Sequence, residues 1–290
     1  MIYACISDVH GRGYSFIECL KAVEYFRENT KKEVKVVLLG DYCDRGNNNL
    51  IVLDTIMDYI TKYPDTIVLR GNHEEFITGS LNWTKLESDS EIKKWHYHPK
   101  SVLNCWSSTG NGGNQTLDEL LPYFKLANSD NQDERLEGQK NIDKYVDFVT
   151  NLPDRYSEGR FIFTHAPLRG HVFDEFCELD EIPSPEVLWN IDIDNTNQNS
   201  WINIHGHLHI RQSSCTINKR ARTINVATFP KVSVTFIDST KELEDPDIEV
   251  CNYFCLDEKD IDIYNENAPQ ASKKAANFAK WLLMSKQIGK

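Results

Sequence analysis

Asp41, Asp44 and Arg45 stand together in Gly40-Asp41-Tyr42-Cys43-Asp44-Arg45-Gly46. Carboxylate oxygens suit hard divalent cations, and a guanidinium offers a planar fork to a phosphate. Four more stretches carry related chemistry. Asp8-Val9-His10-Gly11 puts a carboxylate and an imidazole two residues apart, on one side of an extended chain. Arg70-Gly71-Asn72-His73-Glu74 combines amide, imidazole and carboxylate. His205-Gly206-His207-Leu208-His209 holds three imidazoles in five residues, a metal-type density. His165 closes the apolar run Phe161-Ile162-Phe163-Thr164. Taken singly, each is an ordinary polar turn or a hydrogen-bonded core histidine. Taken together, they carry the donors of a two-metal site.

Position strengthens that reading. Each cluster sits just past an apolar run: Ile2–Ile6, Val34–Leu39, Thr66–Leu69, Phe161–Thr164 and Trp201–Ile204. If these runs are parallel strands of one sheet, their ends meet at one edge, where α/β proteins bind ligands. Phe16, Leu20, Val23 and Phe26 recur at helical spacing, as do Leu50, Leu53, Ile56, Met57 and Ile60 up to Pro64. Strand–helix–strand–helix–strand order predicts right-handed crossovers. Ser15-Phe16-Ile17-Glu18 and Thr116-Leu117-Asp118-Glu119 read as capping boxes, and Asn47-Asn48-Asn49 as a helix start. The stretch 80–115 has no clean period and is expected to cap the site, with His96 and His98 on its surface. Asn128–Gln139 reads as an exposed loop, and Ile142, Tyr145, Val146 and Val149 as a helix face. Cys215–Ile217, Thr223–Ala227 and Val232–Ile237 read as strands of the second half of the sheet. Residues 1–240 are expected to form the catalytic domain. Residues 241–290 form an acidic segment followed by a helix, docked or trailing, in which Ala275, Phe278, Ala279 and Leu282 share a face.

Composition limits the alternatives. The chain has 290 residues, 40% hydrophobic and 26% charged, enough for one large or two modest domains. A net charge of −12 argues against strong nucleic-acid binding. No apolar run approaches the ~18 residues of a membrane span. The first strand begins at once, leaving no room for a cleavable signal. Eight scattered cysteines, with Cys43 inside the acidic loop, predict a reduced, cytoplasmic chain.

The succession Asp-x-His-Gly, Gly-Asp-x-x-Asp-Arg-Gly, Gly-Asn-His-Glu, His-Ala and Gly-His resembles the calcineurin-like metallophosphoesterases. Its phosphoprotein phosphatase branch, with bacterial and phage members, is the most similar. Trp106, Asn111-Gly112-Gly113, Thr116 and Leu188-Trp189-Asn190 are similar to further signatures of those members. The resemblance covers about 1–238. It implies an α/β fold, a β-sandwich flanked by helices with the active site at the strand C-terminal ends. It implies two divalent ions, manganese by family expectation, although iron, zinc and nickel accept the same donors. Asp8 and His10 would hold the first metal and Asp41 would bridge. Asn72, His165 and His207 would hold the second, and His209 would join the first. His73 would be the general acid, oriented by Asp44, with Arg45 as phosphate clamp and Glu74 in support; His205 is structural. The phage-type pattern places a second arginine directly after Trp189-Asn190, where this chain has Ile191; Arg169 or Arg211 would substitute as substrate-binding residues. The expected substrate is a phosphorylated partner: a phosphoprotein monoester or, alternatively, a nucleotide such as a dinucleoside polyphosphate or 2′,3′-cyclic phosphate. A binding module without catalysis is the reading from another class. Oligomeric state is not specified by the sequence.

Overall fold

Strands β1 (Ile2–Ile6) and β2 (Val34–Leu38) are apolar on both faces, apart from Lys35. Strands of that kind are covered on both sides, and the structure, a computed structural model, covers them. It describes residues 1–170, 172–176, 178–193, 200–208, 215–228, 231–255, 257 and 260. β1 pairs in parallel with β2, and β2 with the short β3 (Ile67–Val68). Helix α1 (Gly13–Asn29) crosses from β1 to β2, and α2 (Asn49–Lys62) from β2 to β3.

The chain then leaves the sheet for a helical block: α3 (Asn72–Leu81), α4 (Glu91–Trp95), α5 (Pro99–Trp106), α6 (Gly113–Ala127) and α7 (Gln132–Thr150). A second sheet follows. Its members are β4 (Arg155–Glu158), β5 (Phe161–Thr164), β6 (Ile202–His205), β7 (Thr216–Asn218) and β8 (Thr223–Asn225), with α8 (Val172–Glu175) and α9 (Ser184–Leu188) between β5 and β6. Its order is β4-β5-β6-β8-β7. The chain finally returns to the first sheet as β9 (Val232–Asp238) and β10 (Glu249–Cys255), giving β10-β9-β1-β2-β3.

Strand alternation explains the two cores. Ile2, Ala4 and Ile6 face the helices, against Phe16, Val23, Phe26 and Val52. Tyr3 and Cys5 face the second sheet with Val37, Leu39 and Leu69, opposite Phe161, Phe163, Ile202, Ile204 and Ile224. The Tyr3 ring meets Phe161 and Phe163 edge-on at 5.4 and 4.9 Å. At about 1.5–3 kcal/mol for each fully buried large apolar side chain, this seam is the main apolar bond between the sheets.

Several expectations change. The clusters follow strands of two sheets, not one. Val232–Asp238 belongs to the first sheet, antiparallel to β1, and Glu249–Cys255 extends that sheet beyond residue 240. Neither proposed capping box forms, because α1 and α6 begin earlier, at Gly13 and Gly113. Most of Asn128–Gln139 is helical: the Asn131 side chain accepts from Asp133 N at 2.9 Å, and Asp133 and Glu134 suit a helix start. The first half of α7 faces solvent, so it shows no apolar period. The expected helix within 271–290 lies outside the described residues.

Candidate active site

Six residues named from the sequence adopt left-handed backbone: Asp8, His10, Asp41, Asp44, Arg45 and His207, with φ between 46° and 74°. Among the described non-glycine residues only Arg222 joins them. Such conformations cost about 1–3 kcal/mol each and gather at functional sites.

Glu74 holds the strained loops in place. Its carboxylate accepts from Gly71 N (2.9 Å), Asp41 N (2.8 Å), Tyr42 N (2.9 Å) and Cys43 N (3.3 Å). Burial, then the Asp41 charge, pushes Glu74 up to about 7 against the pull of those donors. The two loops pass so closely that a Cβ on Gly71 would lie 2.3 Å from Asp41 N. Beneath them Tyr42 donates its hydroxyl to Leu69 O (2.6 Å), just past β3. The Cys43 thiol is buried, and its pKa is raised by that burial and by the charges of Glu74 and Asp44.

Two donor groups meet at Asp41. On one side lie His10 and His73, whose Nε2 atoms are 3.5 and 3.9 Å from Asp41 Oδ2. On the other lie His165, with Nε2 3.3 Å from Asp41 Oδ1, and His207, with Nδ1 3.2 Å from His165 Nε2. Asp8 stands between them: Oδ2 accepts from Ser7 Oγ (2.6 Å) and His207 N (3.0 Å), and Oδ1 lies 4.0 Å from His10 Nε2. Backbone carbonyls fix two of the rings. His10 Nδ1 meets Cys43 O at 2.9 Å, and His165 Nδ1 meets Leu39 O at 2.8 Å. A ring that donates through Nδ1 presents the Nε2 lone pair, as a metal ligand must.

The donor set fits divalent cations. Asn72 turns Oδ1 towards His165 Nε2 at 2.9 Å. Turned over, the same amide would donate to Asp41, His165 and His207. With Oδ1 turned inward, lone pairs of Asn72, Asp41, His165 and His207 face one another, and only that orientation, the one a metal ligand needs, requires a positive charge among them. A proton on His165 meets that requirement when no cation does: burial opposes it, but the Asp41 charge and hydrogen bond raise its pKa to about 9. Asp41 responds in kind: burial alone would raise its pKa, but His165, His73 and His10 hold it well below the usual carboxylate range.

Beside this cluster lies an imidazole–carboxylate pair. His73 Nδ1 is 2.6 Å from Asp44 Oδ2. Asp44 also accepts from Trp106 Nε1 (2.8 Å) and Thr116 Oγ1 (2.6 Å), both from the helical block. Arg45 points its fork at both rings: Nη1 is 2.7 Å from His10 Nε2, and Nη2 is 3.1 Å from His73 Nε2.

The remaining expected residues divide. Arg169 is engaged elsewhere, with Nε on Glu186 (3.0 Å) and Nη2 on Glu175 (3.3 Å), so its fork is occupied by carboxylates of the α8–α9 region. Ile191 is 68% exposed. His209 and Arg211 lie outside the described residues. His205 is buried, and burial lowers its pKa to about 4. His98 caps α5, accepting from Lys100 N.

Sequence reasoning missed several supports. Thr116 and Glu119 do not cap their own helix. Thr116 holds Asp44, and Glu119 accepts from Asn49 N (2.8 Å) and Leu50 N (2.9 Å) at the start of α2. Asn49 Oδ1 accepts from Asp44 N (2.7 Å). Glu75, next to Glu74, takes Trp189 Nε1 at 2.5 Å and the Ser90 hydroxyl. Its burial was the missing signal, since an i+1 carboxylate on a helix usually faces water.

A family model described as Calcineurin-like phosphoesterase matches residues 1–237. The serine/threonine-protein phosphatase 6 catalytic subunit of Caenorhabditis elegans is 38% identical over 68 residues, which are 23% of this chain and 19% of that protein. The chain thus spans about a fifth of that curated relative. Among solved structures, a protein serine/threonine phosphatase from Saccharomyces cerevisiae aligns with 82% of this chain and 72% of its own, at 13% identity and a TM-score of 0.43. A metallophosphoesterase from Sphaerobacter thermophilus aligns with 99% and 95%, at 11% identity and a TM-score of 0.40. Among the described residues, no helix is long and apolar enough to cross a membrane.

Proposed function

The chain belongs to the calcineurin-like phosphoesterases, metal-dependent hydrolases, and from that premise we propose that it cleaves phosphomonoesters in the manner of a serine/threonine protein phosphatase. The observation that carries this reading is the His73–Asp44 pair set against the Asp41 cluster. Asp8, His10, Asp41, Asn72, His165 and His207 would hold two divalent cations, with Asp41 common to both. When bound, such a pair neutralises the phosphate and makes hydroxide available near neutral pH.

The chain's own residues supply the rest. Arg45, poised between His10 and His73, grips phosphoryl oxygens as charge develops on them. His73 gives the Nε2 proton to the leaving oxygen. Asp44 fixes the ring by holding Nδ1–H, and is itself fixed by Trp106 and Thr116. Asn72 contributes a neutral oxygen, which limits negative charge beside an anionic substrate.

A second reading, a nucleotide phosphohydrolase or phosphodiesterase, is favoured by one observation. The position of the second arginine clamp holds an exposed isoleucine, and Arg169 is engaged by Glu186 and Glu175. Arg45 as the one firm clamp among the described residues suits a phosphate carrying less charge. A substrate panel with added manganese separates the two. An aryl monoester, a bis-aryl diester, a phosphopeptide and a dinucleoside tetraphosphate are compared by kcat/KM. The first reading expects the phosphopeptide and monoester to lead. A preference for diester or dinucleotide replaces it with the second, and silence on every substrate leaves a binding module.

A further inference from the structure

Helix α1 starts without a cap of its own. Arg12 at its N-cap makes no capping hydrogen bond, and its first turn holds no acidic residue. A carboxylate arrives from the far end of the chain. Asp260 accepts from Ser15 N (2.7 Å), Ser15 Oγ (2.6 Å) and Tyr14 N (3.2 Å). Its Oδ1 also accepts from Asn48 Nδ2 (3.1 Å), at the N-cap of α2. Asp257 N donates back to Ser15 Oγ at 2.9 Å, and Asp260 N closes a turn on Asp257 O at 3.0 Å. Both acids are buried.

The two helix starts that Asp260 joins are the ends of the two loops bearing Asp8, His10 and Asp41. Those loops are already zipped together. His10 N donates to Asp41 O (2.9 Å), Gly11 N to Tyr42 O (2.8 Å) and Asn48 N to Gly11 O (2.9 Å). They touch so closely that a Cβ on Gly46 would lie 2.4 Å from His10 O. Asn48 therefore sits with its backbone on one loop and its side chain on Asp260. Residue 260 also lies beyond the 1–237 matched by the family model.

We infer that Asp260 is a positioning residue for the metal centre, holding the two ligand-bearing loops in register from a segment outside the matched domain. The inference rests on the binuclear-metal reading above. Its physical basis is that both loops carry left-handed ligand residues, Asp8 and His10 on one and Asp41 on the other. Strained loops keep that geometry only when the surrounding structure fixes them; Asp260 bonds Ser15, Tyr14 and Asn48 rather than a proposed ligand, so it acts one step behind the groups whose loss commonly costs tenfold or more in metal affinity.

The test uses the full-length protein freed of metal by chelation. Manganese(II) is titrated into wild type, Asp260→Asn, Ser15→Ala and a control, Lys35→Ala. Lys35 pairs with Glu158 at the opposite end of β2. Melting temperature is read in chelator for all four. The expected result is a manganese dissociation constant raised about tenfold in Asp260→Asn, in the same direction in Ser15→Ala, and unchanged in Lys35→Ala at a similar loss of melting temperature. Wild-type affinity in Asp260→Asn, or loss in all three variants in proportion to melting temperature, overturns the inference and leaves Asp260 a helix cap. Wild type that takes up no manganese removes the metal reading itself, and this inference with it.

Discussion

His73 meets Asp44 through Nδ1 and turns Nε2 towards Asp41 and Arg45. One ring nitrogen is thus held for orientation while the other is available for proton transfer. His73→Asn should keep bound metal, because its neighbour Asn72 is the proposed ligand. On an alkyl phosphate, whose leaving group needs a proton, turnover should fall about 10²–10⁴-fold; on an aryl phosphate with a good leaving group the fall should be much smaller. Equal losses on both substrates would refute the acid role. His165 supports a second prediction at this scale. Its pKa is raised from 6.5 to about 9 without a cation, so in the metal-free protein it is protonated below that value and neutral above it. A cation must displace that proton. Manganese affinity should therefore weaken as pH falls below about 9, and uptake at pH 7.5 should release protons. Titration calorimetry in two buffers of different ionisation enthalpy reads that number, and a value of zero contradicts the prediction.

At the scale of elements, the site is a set of strand ends tied by one helix. Glu74, in the first turn of α3, collects four N–H groups from the loops after β2 and β3. Glu74→Gln replaces one acceptor oxygen by an amide that faces N–H donors. Hydrogen bonds to charged groups are worth about 1.5–3 kcal/mol each, so at a pH well above 7, where the raised Glu74 carboxyl is ionised, unfolding free energy should drop by about 2–3 kcal/mol, with weaker manganese binding. Denaturant melts and metal titration check this, and a variant with native stability would show that the cradle is not needed. The same scale shows what the sequence made legible. The meeting of Asp8, Asp41, Asn72, His165 and His207 was legible because each follows an apolar run, and period and polarity are local. Ser15, Thr116 and Glu119 were misread as caps because their true partners, Asp260, Asp44 and Asn49, lie far along the chain. No window of sequence contains such a pair. The start of α7 was missed for a different reason: a solvent-facing helix half has no apolar stripe, and only Asn131 marked it.

For the whole molecule, the decisive fact is that the proposed ligands come from both sheets. Asp8, His10, Asp41 and Asn72 follow strands of the first, and His165 and His207 strands of the second. The expectation of one sheet failed because β5 and β1 are equally apolar, and hydrophobicity alone does not say which partner a strand takes. Cations held there, as proposed, would add to the Tyr3–Phe161–Phe163 seam. Removing them should lower the melting temperature, since a ligand at a hundred times its Kd stabilises by about 2.7 kcal/mol. A melting temperature indifferent to chelator would show that the centre does not bridge the halves. The buried Cys43 lets the same event be seen from inside. Thiolate is the reactive form, and here burial and two neighbouring acids suppress it. An alkylating reagent reaches this sulfur only when the Asp41 loop opens, so the rate at which the Cys43 peptide is labelled in the native protein, read by mass spectrometry apart from the half-buried Cys105, times that opening with and without cations.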